Sequence, residues 1–360
     1  MAGLGLAINA RTLINRSNAQ LWVLASLVVL IWFAFTLVDP NFANSVFVTY
    51  PLLRDAATFT VVGLAQMTAL SIGHMNLAVG RMAAVAAMVA GISFQFFGAS
   101  LLVGALLGIA AAALLGVLTG VIIVVSNVNS FIVTLAMDFL LVGFVALVYT
   151  RLTTAAAFTV KPDGMKYLGR ASLADICAGP VCGPRFMPML LIPALVIVGY
   201  MIWIYRRSRF GRELIAIGNS MRASAAAAIP TRRRVIQAHA LSAALAGAAG
   251  IMVVISNGAA TAAIGSEFMI PSFLGPLLGG TSLLGGAVSV IGTIFGTLLT
   301  FVLRSGLTTH GVGLEALNIS LGVLLLLVLS VQSFSRIRGQ MRMAKARMVR
   351  VRASAAGSRR

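Results

Sequence analysis

Apolar residues dominate this chain in long runs, separated by short polar or glycine-rich joints. Ten runs are long enough to be read as membrane helices, at residues 21–38, 52–72, 75–97, 101–125, 130–149, 187–205, 235–256, 268–278, 287–303 and 314–331. Most approach the roughly 20 residues that a helix needs to cross the hydrocarbon core. The eighth is short, holds Pro271 and Pro276, and ends in Gly279-Gly280, which predicts a kinked or half-depth helix. The stretch from 275 to 307, GPLLGGTSLLGGAVSVIGTIFGTLLTFVLRSGL, organises the rest. Its glycine pairs mark a break, and its recurring Gly292, Gly296 and Thr300 predict close helix–helix approach. A second joint, SIGHMNLAVGR at 71–81, interrupts the chain between the second and third runs. Broken backbone at membrane depth is tolerated only where protein or a lined cavity encloses it.

Composition agrees with the pattern. The 360 residues are 59% hydrophobic and 10% charged, with a mean hydropathy of +1.00, whereas a soluble domain carries about a quarter charged residues. The expected fold is an all-α polytopic membrane protein of about ten transmembrane helices, some interrupted. Net charge is +19, but its distribution argues against a nucleic-acid partner. Of 27 Lys and Arg, eight lie in 206–234 and nine in 336–360, both beside apolar runs. The positive-inside rule puts both clusters in the cytoplasm, facing anionic lipid. An even number of spans keeps both termini cytoplasmic. The polar, basic residues 1–20 then form a cytoplasmic segment rather than a cleavable signal, 21–334 the membrane domain, and 335–360 a basic tail, disordered or lying on the headgroups.

Candidate chemistry is sparse. No G-x-x-x-x-G-K-[ST] motif is present, so ATP hydrolysis is not expected on this chain. His74, His239 and His310 are far apart in sequence and read as helix-end residues, with no metal site and no cofactor expected. Cys177 and Cys182 sit in the long loop 155–188, either as a disulfide on an oxidising face or as two free thiols. That loop reads as external, with one short surface helix. Arg81 and Asp138 are intramembrane charges that cost about 2.5–3.5 kcal/mol each at a helix centre. They either pair with each other or reach separately to the interface.

Four stretches together resemble the membrane-spanning permease subunit of ribose-type ABC importers. Its members share GGIDLSVG, PPFIATLG, GR-x-x-x-AIGGN-x-x-AA-x-x-SGI and GGTSL-x-GG-x-GS-x-x-GT segments. Here these read GHMNLAVG (73–80), VNSFIVTLA (128–136), GRELIAIGNSMRASAAAAI (211–229) and GGTSLLGGAVSVIGT (279–293). The departures are Asn76 for the acidic residue, Asn219-Ser220 for Gly-Asn, Ala228 for Gly, and Met269 and Pro271 at usually acidic positions. The resemblance implies a bacterial inner-membrane pore for a sugar or similar small polar solute, and not an enzyme. It also implies separate ABC ATPase subunits, a second permease chain (identical or not) and a secreted solute-binding protein. Asn76, Asn129, Thr134, Thr281 and Ser282, polar and beside helix breaks, are the candidates for the translocation path. The ATPase-coupling loop comprises Gly211, Arg212, Ile217, Met221, Arg222, Ala225 and Ala226, with a helix over 220–229 that ends at Pro230. Arg212 and Arg222 are expected as rim contacts, Ile217 and Met221 as apolar ones. An ion- or proton-coupled secondary carrier is the alternative, although such a protein has no use for the GRELIAIG loop.

Overall fold

The computed structural model describes residues 21–43, 45–176, 187–313, 316–327 and 330. The expectations for 1–20, for Cys177 and Cys182, and for the tail 335–360 lie outside these residues. The chain is all-α and polytopic. Its helices are α1 (Leu21–Val38), α2 (Tyr50–Ser71), α3 (Val79–Phe97), α4 (Leu101–Ser126), α5 (Ser130–Leu152), α6 (Met165–Arg170), α7 (Leu191–Arg207), α8 (Arg209–Asn219), α9 (Met221–Ala226), α10 (Thr231–Asn257), α11 (Met269–Leu278), α12 (Val290–Thr309) and α13 (Ala316–Leu327). Each of the ten apolar runs contains a helix. Six helices are long and apolar enough to cross a membrane, and seven if α7 and α8, bent 69° to each other, count as one span. The helix in the third run starts at Val79, later than its apolar pattern, because residues 72–78 are spent on the break. Helix α13 belongs to a separate compact unit, 314–360.

The core of the first unit is built on α2, α3 and α10. Helix α2 is enclosed almost from end to end, including the polar Thr58, Thr60, Gln66, Thr68 and Ser71. Two of these hydroxyls bond back to their own helix, Thr68 to Leu64 O at 2.8 Å and Ser71 to Thr68 O at 2.7 Å. Such bonding meets their need without water. Helix α4 packs along α10 through Ala112, Gly116 and Gly120, while its Gly104 and Gly108 lie against Phe94 and Ala86 of α3. A methyl group on Gly116 would overlap His239 O and the Ala243 side chain, and one on Gly108 would overlap Ala86 O. The backbones therefore touch where small residues repeat every four positions. Leucine, valine and phenylalanine side chains cover the opposite faces of α4 and α5, which is the surface a lipid bilayer requires.

Helices α11 and α12 pair closely and pack on α2. Gly279 lies against Gly292, and Gly296 against Gly275. At one end Phe35, Trp32 and Phe42 cluster with Leu52 and Val302. The loop between α5 and α7 is ordered where described. A two-residue antiparallel ribbon joins β1 (Ala157–Phe158) to β2 (Ala260–Thr261), α6 follows, and Ser172 bridges to Pro188.

Candidate functional site

The two breaks are each closed by side chains from elsewhere. In the first, residues 72–78, Gly73 turns the chain at φ +76, a region open to glycine at little cost. The freed Met75 N–H donates to Ser130 Oγ at 3.3 Å, and Thr134 Oγ1 donates to Met75 O at 3.3 Å. Asn76 is buried. Its Oδ1 accepts from Ala78 N at 3.2 Å, and its Nδ2 donates to Ser242 Oγ of α10 at 3.0 Å. In the second break, residues 279–289, the buried Thr281 accepts from Ser289 N at 3.4 Å, and half-buried Ser282 accepts from Leu284 N at 3.3 Å. Ser289 then caps α12 by accepting from Gly292 N at 3.0 Å. Asn129 is exposed and caps α5, accepting from Phe131 N at 2.9 Å. All five sequence candidates thus satisfy backbone at helix ends. Asn76 and Thr134 share the first break, Thr281 and Ser282 the second, and Asn129 stands apart beside Ser130.

The segment 208–230 forms an arm of two short helices. Ser208 caps α8 by accepting from Gly211 N at 3.1 Å, and Ser220 caps α9 by accepting from Ala223 N at 3.2 Å. Helix α8 turns one face inward, burying Gly211, Leu214 and Ile217. Ile217 is 3% exposed and therefore anchors the arm; it is not the apolar outer contact expected of it. Arg212, Met221, Arg222, Ala225 and Ala226 are exposed. The alanine run gives six helical residues rather than ten, because Ala228 adopts φ +59 and Ile229 N turns back to Ser224 O at 3.1 Å. The resembling family has Gly at this left-handed position, and here an alanine bears the strain. Arg234, at the start of α10, ties the arm down through Glu213 and lies 5.4 Å over the Phe210 ring.

The arm and both breaks meet. A methyl on Gly218 would overlap Ser71 O and Gly286 N, and one on Gly285 would overlap Gly73 N. Gly286 N donates to Ser71 O at 3.2 Å. Asn219 Nδ2 donates to Gly286 O at 3.2 Å and to Ile215 O at 2.9 Å. Gly73 lies against Leu284 O. Three glycine-rich segments separated by more than 60 residues in sequence thus form one junction.

Two further polar contacts lie nearby. Arg81 Nε sits 3.7 Å from Asp138 Oδ1, so these charges pair across α3 and α5 rather than reaching out separately. His239 is fully buried within α10 rather than at the helix end expected of it, with Nε2 3.1 Å from His74 Nδ1; His74 does stand at a helix end, its N–H closing α2 on Ala69 O at 3.1 Å. His310 does cap α12, edge-on to Phe35. Gln66 escaped sequence reading. Its amide is fully buried, with no hydrogen-bond partner among the described residues. The only signal for it is a lone glutamine inside an apolar run. Among the described residues, no cluster of three His, Cys, Asp or Glu could hold a metal.

Residues 49–329 match the family model described as branched-chain amino acid transport system / permease component. Similar proteins include the autoinducer 2 import system permease protein LsrD of Escherichia coli and of Shigella flexneri. Each is 26% identical over 323 residues, covering 89% of this chain and 93% of the relative. No solved structure matches. Neither the fold nor these relatives support the secondary-carrier alternative. Permeases of this kind are pore subunits of the bacterial inner membrane, not enzymes, and work with ATPase and solute-binding subunits. With an all-α multi-pass fold, two broken helices and a family match over most of its length, the chain belongs to the branched-chain amino acid transport system permease family and is the permease subunit of an ABC importer.

Proposed function

We propose that this permease carries a small neutral polar solute of sugar type, and that the arm α8–α9 is the seat of its ATPase. The observation that carries the second part is the arm's two-sidedness. Gly211, Leu214 and Ile217 fix it to the body, while Arg212, Met221, Arg222, Ala225 and Ala226 present an exposed basic and small-residue surface. Small side chains on a short helix admit a groove-shaped partner, and the arginines complement acidic residues at its rim. The basic cluster 206–234 places this arm in the cytoplasm. The remaining apolar runs then give ten membrane segments with both termini cytoplasmic, a membrane domain over 21–334, and a basic cytoplasmic tail at 335–360.

The solute class is supported by the groups at the breaks. Asn76, Thr134, Thr281 and Ser282 bring amide and hydroxyl groups to the breaks, where they bond backbone in this structure, and Asn129 caps α5 beside Ser130. The nearby charges, Arg81 and Asp138, are committed to each other. A zwitterionic amino acid would need charged partners to leave water, whereas a sugar needs hydrogen bonds. The similar permeases are named for autoinducer 2 import rather than for import of an amino acid. A second permease chain, identical or related, completes the pore, and a secreted binding protein delivers the solute.

The test is to purify the complex with its binding protein and identify the ligand that protein retains. Cysteines are then placed one at a time at the five path positions. A sugar-like ligand that protects them from a water-soluble maleimide supports the reading. An amino-acid ligand overturns the solute class. Five unreactive positions in a transport-competent protein place the path elsewhere.

A further inference from the structure

We propose that Asn219 is the positioning residue that makes the arm and both breaks move as one piece, so that a displacement of the arm reaches the two breaks together. The proposal rests on the arm being the ATPase seat. The contacts form an unbroken chain. One Asn219 Nδ2 donates both to Ile215 O, in its own helix, and to Gly286 O, in the second break. The next link is Gly286 N, which donates to Ser71 O, at the end of α2 and the start of the first break. Gly286 therefore uses both its N–H and its C=O in the junction. Around this chain, Gly218, Gly285 and Gly73 bring backbone against backbone. Side chains at such a contact would absorb a small shift by changing rotamer. Backbone atoms in direct contact cannot, so motion is passed on rather than dissipated. The other end of the arm meets α7 at a 69° bend at Ser208. A displacement of the arm thus reaches the breaks at Asn219.

The chemistry of position 219 is specific. The amide supplies two N–H bonds to two carbonyl oxygens. Alanine supplies none. Aspartate has the same shape but offers only oxygens to those carbonyls. Glycine, usual here in the resembling family, would leave the backbone contacts without the clamp.

The experiment uses the full chain in its complex with the ATPase subunits, in proteoliposomes, with Cys177 and Cys182 replaced by Ser. Single reporters are Met75→Cys in the first break and Ala287→Cys in the second, the latter exposed. With Asn219 present, ATP should change the maleimide labelling rate at both reporters by about 5- to 150-fold, the range of ordinary coupling between sites. With Asn219→Ala or Asn219→Asp, the ATPase should still co-purify and hydrolyse ATP, while the change at both reporters falls below about twofold. A merely structural role would lower the amount of inserted complex without altering the response per molecule. Retention of the response in both variants overturns the proposal, as does the absence of any ATP response with Asn219 intact. The seat is tested separately. If Ala225→Trp leaves ATPase binding untouched but Asn219→Ala still abolishes the response, the joint stands and the seat lies elsewhere.

Discussion

His74 Nδ1 lies 3.1 Å from His239 Nε2, joining the first break to the middle of α10 across 165 positions of sequence. One ring donates and the other accepts, so the accepting imidazole must be neutral. Replacing either by Phe should cost more than replacing both, since a single change leaves a buried nitrogen unpaired. A double-mutant cycle on thermal stability in detergent should give a coupling of about 0.5–1.5 kcal/mol. Additive effects would mean that the bond contributes nothing.

Ala228 sits at φ +59, two residues past the end of α9. Ala228→Gly should stabilise the arm by about 1 kcal/mol by relieving the left-handed strain. Hydrogen exchange at Ser224–Ile229 should slow accordingly. Faster exchange would contradict the strain.

Asn76→Asp should fold. Oδ1 can still accept from Ala78 N, and the Ser242 hydroxyl can turn to donate to the second oxygen. Asn76→Leu should lose both bonds and about 2 kcal/mol or more of stability, through an unpaired buried N–H. Loss of transport in Asn76→Asp with normal insertion would show that the neutral amide itself is required.

Ala225→Trp and Ala226→Trp enlarge the exposed face of α9 without touching its anchors. ATPase co-purification and transport should fall together by tenfold or more, about 1.4 kcal/mol, while the permease inserts normally. A helix that only rests on lipid headgroups would accept Trp, which favours that interface. Unchanged binding in both variants would remove the coupling role from α9.

Gly116 lies against His239 O and Ala243 with no space for a side chain, whereas Gly143 and Gly199 face open space. Gly116→Leu should push α4 off α10 and cost several kcal/mol, seen as a loss of folded protein. Gly199→Ala should be neutral or gain up to about 1 kcal/mol of helix propensity.

The helices were legible because apolar runs of membrane length leave few alternatives, and the breaks because glycine pairs interrupt those runs. The internal pairing was not legible. Nothing local in the sequence links His74 to His239, Arg81 to Asp138, or Gly218 to Gly285, since each contact is set by tertiary packing across 57 to 165 positions. The arm shows the same limit on a small scale. Its glycines and arginines suggest a surface loop, but which face of α8 points inward depends on the bend at Ser208, so the burial of Ile217 is not legible from the pattern. The alanine run suggests a longer helix than forms, because propensity carries no signal of the turn at Ala228.

Helix α2 is 22 residues long, yet it is not among the helices apolar enough to cross a membrane on composition alone. In the fold it is enclosed by α10, α11 and α12, and those helices are made some 160 residues or more later. During synthesis, α2 therefore waits for the neighbours that enclose it until the second half of the chain arrives. Assembly of this permease is in that sense governed by its last helices to be translated, and truncation before α10 should leave α2 exposed to quality control rather than resident in the bilayer.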